Sequence, residues 1–111
     1  MVDKEISDKA LEAVEIARTT GKLKKGTNET TKAIERGLAK LVVYAKDVSP
    51  AEITLHLPLL AKEKGIPAVE VESREELGNA AGIGVPTSAV AVIEEGEAKN
   101  IIKEIKSKIE Q

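Results

Sequence analysis

Asn28, Glu29 and Lys32 place an amide, a carboxylate and an ammonium within little more than one helical turn, directly after a glycine turn at Gly26. A carboxylate can accept from a nucleobase N–H, a lysine can donate to a neighbouring carbonyl oxygen, and an amide can do both. Such a set can decode a base edge wherever a nucleic acid exposes one in a groove wide enough to enter. Regular A-form RNA closes its major groove to side chains, whereas a helix distorted by mismatched pairs opens it. The free N–H groups and partial positive charge of a helix start also welcome phosphate, and Lys25 and Lys32 add to that attraction. Glu29 has a second reading, because a first-turn carboxylate stabilises the helix dipole by about 0.3 to 1 kcal/mol. The stretch as a whole reads equally as a well-capped surface helix with solvated charges.

The helix that must carry these groups runs from Gly26 to Gly37. With Asn28 as its first residue, Asn28, Lys32 and Arg36 recur every four residues along one face, edged by Glu29 and Glu35. Thr30, Ala33, Ile34 and Leu38 form the opposite stripe, which packs inward. From Lys22 to Lys40 there are six basic side chains and only two acidic ones, whereas the later chain is rich in Glu70, Glu72, Glu75, Glu76, Glu94, Glu95 and Glu97. The overall net charge of −2 excludes an indiscriminate polyanion binder, but the segregation leaves a local basic patch for phosphate. Tyr44 is the single aromatic residue and lies in an apolar run, so it is expected in the core and base stacking on exposed rings is excluded.

Enzymatic constellations are sparse. The lone histidine, His56 in Leu55-His-Leu57, reads as a packed or interfacial imidazole, and there is no cysteine and no positioned serine motif. Gly82-Ile-Gly84 precedes a strand, where phosphate-loop logic requires a helix. Carboxylates look like capping or surface groups, so the chain reads as a non-enzyme with no cofactor and no metal. Absence of cysteine rules out disulfides and thiolate metal sites. The N-terminal Met-Val-Asp-Lys-Glu-Ile-Ser lacks the form of a secretory signal and no apolar run approaches the roughly 18 residues of a membrane span, which makes the cytoplasm the expected compartment.

The 111 residues, 41% of them hydrophobic, fit one domain spanning residues 1–111. Short apolar runs alternate with helix-period segments, the pattern of an α/β domain. The first helix starts at Ser7, turns Leu11, Val14 and Ala17 inward and stops at Gly21. Strands are expected at Leu23 to Lys25, Leu41 to Ala45, Ala68 to Val71 and Ala89 to Ile93. Ser49-Pro50-Ala51-Glu52 combines a capping box with proline at the first helical position. The helix it opens should kink or restart at Pro58 and end at Gly65. Ser73-Arg-Glu-Glu76 opens a short fourth helix ending near Gly82, Ile83 to Ser88 is a loop, and Ala98 to Ile109 is an amphipathic last helix. The expected fold is a single-domain, three-layer α/β/α sandwich on a four-stranded mixed sheet.

Gly26-Thr-Asn-Glu-Thr-Thr-Lys-Ala-Ile-Glu-Arg-Gly-Leu-Ala-Lys-Leu-Val42, followed in order by Ala45-Lys-Asp-Val-Ser-Pro50, His56-Leu-Pro-Leu-Leu60, Leu77-Gly78 and Ala81-Gly82-Ile83, resembles the kink-turn-binding family of archaeal large-subunit ribosomal proteins, the L-seven-A-e type. The similarity runs over nearly the whole chain. It implies a three-layer α/β/α fold and recognition of kink-turn RNA, a sharply bent duplex with tandem sheared G·A pairs. In archaea it also implies assembly into the ribosome and into box C/D and H/ACA guide ribonucleoproteins with their partner proteins, association with ribonuclease P, and a monomer when free. By position the resemblance assigns Asn28, Glu29 and Lys32 to the G·A pairs, and Lys25, Gly26, Thr27 and Arg36 to the RNA backbone. It places a second contact region at Ile83, Val85, Pro86, Thr87 and Ser88, where apolar groups meet extruded bases. Two positions depart from the family pattern. Ser49 stands where many relatives carry an acidic residue, either as a hydrogen-bonding group or only as a helix cap, and Gly84 replaces a residue that is commonly polar. A protein-interaction module using the same helix and loop is the alternative from another class. A small metabolite-binding domain lacks both the phosphate loop and the aromatic pocket residues.

Overall fold

The computed structural model describes residues 3–109; Met1 and Val2, part of the stretch weighed against a secretory signal, lie outside them, as do Glu110 and Gln111. Along the chain come α1 (Lys4–Thr20), β1 (Lys22–Lys25), α2 (Thr27–Glu35), β2 (Leu41–Ala45), α3 (Glu52–Glu63), β3 (Ala68–Val71), α4 (Arg74–Ala80), β4 (Ala89–Glu94), a 3₁₀ turn (Gly96–Ala98) and α5 (Lys99–Ile109). The sheet order is β1-β4-β2-β3. β4 runs antiparallel to both β1 and β2, while β2 and β3 are parallel, which makes the sheet mixed, as expected.

Strand alternation divides the core in two. Leu41, Val43, Ala45, Val69, Val71, Val90 and Val92 face α1, α4 and α5. Val42, Ala89 and Ala91 face α2 and α3, which contribute Ala33, Ile34, Leu57 and Ala61. The alanines of β4 let α2 settle close to the sheet, so the register of the central strand fixes the height of the α2 start. Lys9 pairs with Glu104 and Lys108 with Glu5, joining α5 to α1 at the surface. The hydrogen bond from Lys9 holds the Glu104 carboxyl below its ordinary range, and that from Glu5 raises the Lys108 ammonium.

Several element boundaries differ from expectation for local reasons. α1 begins three residues before Ser7, because the Asp3 side chain accepts from the Ile6 N–H at 3.3 Å; Ser7 itself is buried in the helix. Leu38 lies outside the inward stripe and is 49% exposed, because α2 ends at Glu35 and Gly37 turns the chain at φ 69°. Ser49 does not cap α3 and Pro50 is not its first residue. The helix starts at Glu52 after an Ala51 cap without a side-chain bond, through i→i+3 bonds from the Ile53 N–H to Pro50 and from the Thr54 N–H to Ala51, each 3.2 Å. Pro58 neither stops nor restarts α3, which continues to Glu63 with Leu57 and Ala61 packed on the sheet. Tyr44 is half-buried against the α2–α3 core. The Ser73 cap forms as expected, accepting from the Glu76 N–H at 3.0 Å.

Candidate nucleic-acid interface

Gly26 starts α2, one turn position earlier than the expected Asn28. Its φ of 92° is open to glycine and costly for other residues, its N–H donates to Ala89 O at 2.7 Å, and its carbonyl accepts from the Thr30 N–H at 3.0 Å. The helix mouth is thus bolted to the first residue of β4. Asn28 moves to the second helical position, where its amide is exposed and released from capping. No side chain caps this end of α2, so its first N–H groups are uncommitted to a capping group. An atom added at the Gly26 Cβ position would meet nothing within 4 Å, which leaves the backbone open to close approach from outside.

Asn28, Glu29, Lys32 and Arg36 are exposed on α2, with Lys25 exposed at the end of β1 just before it. Lys32 Nζ and Glu29 Oε1 lie 3.9 Å apart, with both side chains about half exposed, so the pair orients two head groups while contributing little to stability. Thr30, Ala33 and Ile34 are buried beneath them. Arg36 sits two helical turns from Asn28, about 12 Å along the axis, so it can reach a phosphate but not the same base pair.

The loop between α4 and β4 comes to the same place. Thr27 Oγ1 and Ser88 Oγ share a 2.6 Å hydrogen bond across 61 residues of sequence, and the Ala45 N–H donates to Ser88 O at 2.9 Å. Val85 is 60% exposed, Pro86 and Gly84 are exposed, and Ile83 is half-buried. Thr87 differs from its neighbours: its side chain is 7% exposed and donates to Ala89 O at 3.3 Å, while its N–H donates to Arg74 O at 3.1 Å. It braces the loop from within. Two further braces were not evident in the sequence. Gly78, buried in α4, leaves room for the Val85 carbonyl, with which any Cβ at that position would collide. Asp47 Oδ1 accepts from the Arg74 N–H at 2.9 Å and pairs with Arg74 Nε at 3.6 Å, tying the β2 end to α4. A glycine inside a helix costs about 1 kcal/mol relative to alanine, and that anomaly at Gly78 is the signal that could have disclosed the close approach.

His56 is exposed on α3, and the expectation of a packed ring does not hold. Thr31 Oγ1 donates to Thr27 O at 2.8 Å, which uses its only proton; the 2.9 Å contact with His56 Nε2 therefore has the imidazole as donor. The imidazole links α3 to α2. Among the described residues no group of three or more potential metal ligands comes together, and no helix is long and apolar enough to cross a membrane.

This arrangement of an uncapped helix mouth, an acid–amide–amine cluster and a loop tied to it can be compared with known proteins. Residues 8–102 match the model of the Ribosomal protein L7Ae/L30e/S12e/Gadd45 family. The chain belongs to that family. It is 56% identical over 110 residues to the large ribosomal subunit protein eL8 of Haloquadratum walsbyi, covering 99% of this chain and 92% of that protein. Among solved structures it is similar to the Giardia lamblia 15.5kD RNA binding protein, with a TM-score of 0.91, 36% sequence identity, and coverage of 99% of this chain and 92% of the other. The archaeal resemblance and the α/β/α fold expected from the sequence are thereby both found. Membership of this ribosomal-protein family also makes the chain a structural protein and not an enzyme.

Proposed function

We propose that this chain is an RNA-binding ribosomal protein that recognises and stabilises kink-turn RNA. In a sheared G·A pair the guanine Watson–Crick edge is unoccupied, so the Glu29 carboxylate has an N–H to accept from and the Lys32 ammonium has O6 to donate to. Asn28, uncommitted to capping, serves the adjacent pair. Lys25, Arg36 and the open backbone at Gly26 and Thr27 follow the phosphates, while Ile83, Val85 and Pro86 pack against bases expelled from the bend. The observation that carries this reading is the Thr27–Ser88 hydrogen bond, which makes the helix mouth and the apolar loop one continuous surface. A relative named as a large ribosomal subunit protein and a structural neighbour named as an RNA binding protein support the same class of ligand. Ribosomal RNA, box C/D and H/ACA guide RNAs and ribonuclease P RNA are the targets this chemistry suits, with other ribonucleoprotein components as protein partners.

Glu29→Ala combined with Lys32→Ala should abolish the preference for a hairpin with tandem G·A pairs over the same hairpin fully paired. Losing one well-formed base contact costs about 1 to 3 kcal/mol, so the discrimination should fall at least about tenfold while circular dichroism stays native. Unchanged discrimination in a competition titration would exclude this site. The exposed Val85 also suits a protein partner, and retention of the chain on immobilised RNA with elution by salt separates the two readings.

A further inference from the structure

The end of the molecule remote from the α2 mouth carries a second basic surface. β2 enters the sheet at Leu41 and leaves it at Ala45, beside Ser88; its five residues separate the two ends by about 17 Å. At the entering end two adjoining depressions of about 420 and 510 Å³ share Gly65, Ile66, Pro67 and Lys106. Lys40, Lys62, Lys64, Lys99, Lys103 and Lys106 line them, with Glu95 as the single carboxylate in either lining. Lys99, Lys103 and Lys106 stand at i, i+4 and i+7 on α5 and share one face of that helix. Lys62 and Lys64 come from the end of α3, and Lys40 from the start of β2.

Among the described residues none of these six lysines lies within ion-pair distance of a carboxylate, whereas Lys9, Lys22, Lys32 and Lys108 each do. In a chain of net charge −2 with nineteen acidic residues, leaving six ammonium groups together is a choice against self-neutralisation. The floor between them is apolar, with Ile66, Pro67 and Ile102, and Gly37 and Gly65 end α2 and α3 at its rim without side chains to fill it. Lysines supply point charges without the planar fork that reads a base, so the groove favours a backbone of repeated phosphates over a particular sequence. We infer that this groove binds the phosphate backbone of a second RNA segment, so that the protein holds one RNA at the α2 mouth and another at the opposite pole.

The test uses the full chain saturated with an unlabelled tandem G·A hairpin, to which a labelled, fully paired RNA duplex is added and followed by fluorescence anisotropy. The intact protein should bind the duplex in a ternary complex, with affinity falling steeply with salt. Lys99→Gln, Lys103→Gln and Lys106→Gln together should weaken duplex binding at least about tenfold and lower the salt slope by about 1 per lysine, with hairpin affinity retained as the control for folding. Glu29→Ala with Lys32→Ala should leave duplex binding, measured without hairpin, unchanged, so failure at the α2 mouth and failure at the groove give different results. Duplex binding that the triple variant does not alter, or a polyglutamate peptide that binds the groove as tightly as the duplex, would overturn the inference.

Discussion

Glu29 owes its usefulness to two neighbours. Lys32 at 3.9 Å keeps its charge compatible with an approaching polyanion, and the Gly26 cap leaves Asn28 beside it free. A carboxylate in a basic patch repels phosphate, so its presence favours a ligand offering N–H donors at that point, which is why Glu29 is more telling than any of the lysines. Tyr44 illustrates the opposite situation, a polar group placed by packing. Burial raises its phenol above the ordinary pKa near 10, and the Glu70 carboxylate opposite it on β3 pushes further the same way. Because the folded state holds the proton more tightly, the contribution is complete below about pH 10 and is lost as the pH rises through the folded-state value. Alkaline titration of the phenolate absorbance, clean because this is the only tyrosine, should show a midpoint above that of free tyrosine, and Tyr44→Phe should flatten the alkaline fall in stability. A midpoint at the free value would contradict the placement.

At the scale of elements, the loop before β4 is held in position by α4, and two glycines test how. Gly78 makes room for the Val85 carbonyl, whereas Gly84 stands in open space at φ 71°. Gly78→Ala must displace the loop from the helix, so it should cost about 1 to 3 kcal/mol in chemical denaturation and also weaken hairpin binding. Gly84→Ala should cost about 1 to 2 kcal/mol through its left-handed backbone alone. If the loop is part of the interface, Gly78→Ala loses affinity beyond what its stability loss at the working temperature accounts for; equal affinity in the folded fraction would detach the loop from binding.

Over the whole molecule, charge is segregated more sharply than the net value of −2 conveys. Lys25, Lys32 and Arg36 lie along the α2 side and the six groove lysines lie at the far end. Three phosphate contacts at the α2 side predict that hairpin affinity falls with salt at a logarithmic slope of about −2 to −3. Lys25→Gln should reduce that slope by about 1 without changing the preference for tandem G·A pairs, since phosphate contacts position and base contacts specify. A change of preference in that variant would mean that Lys25 touches a base.

By itself the sequence determined what local physics controls. The strand segments, the glycine stops, the Ser73 cap and the three chemically distinct groups of the α2 start are legible because hydrophobic period, backbone freedom and side-chain chemistry act over a few residues. The cap at Gly26 instead of Asn28, the exposure of Leu38 and the start of α3 beyond Ser49 were not legible, since each depends on where a helix meets the sheet. Tertiary structure alone decided that Thr27 meets Ser88, that Gly78 admits Val85, and that lysines from α3, α5 and β2 share one groove. The strand order β1-β4-β2-β3 brings these distant segments together, and a chain read along its length carries no term for such pairing until the sheet has formed.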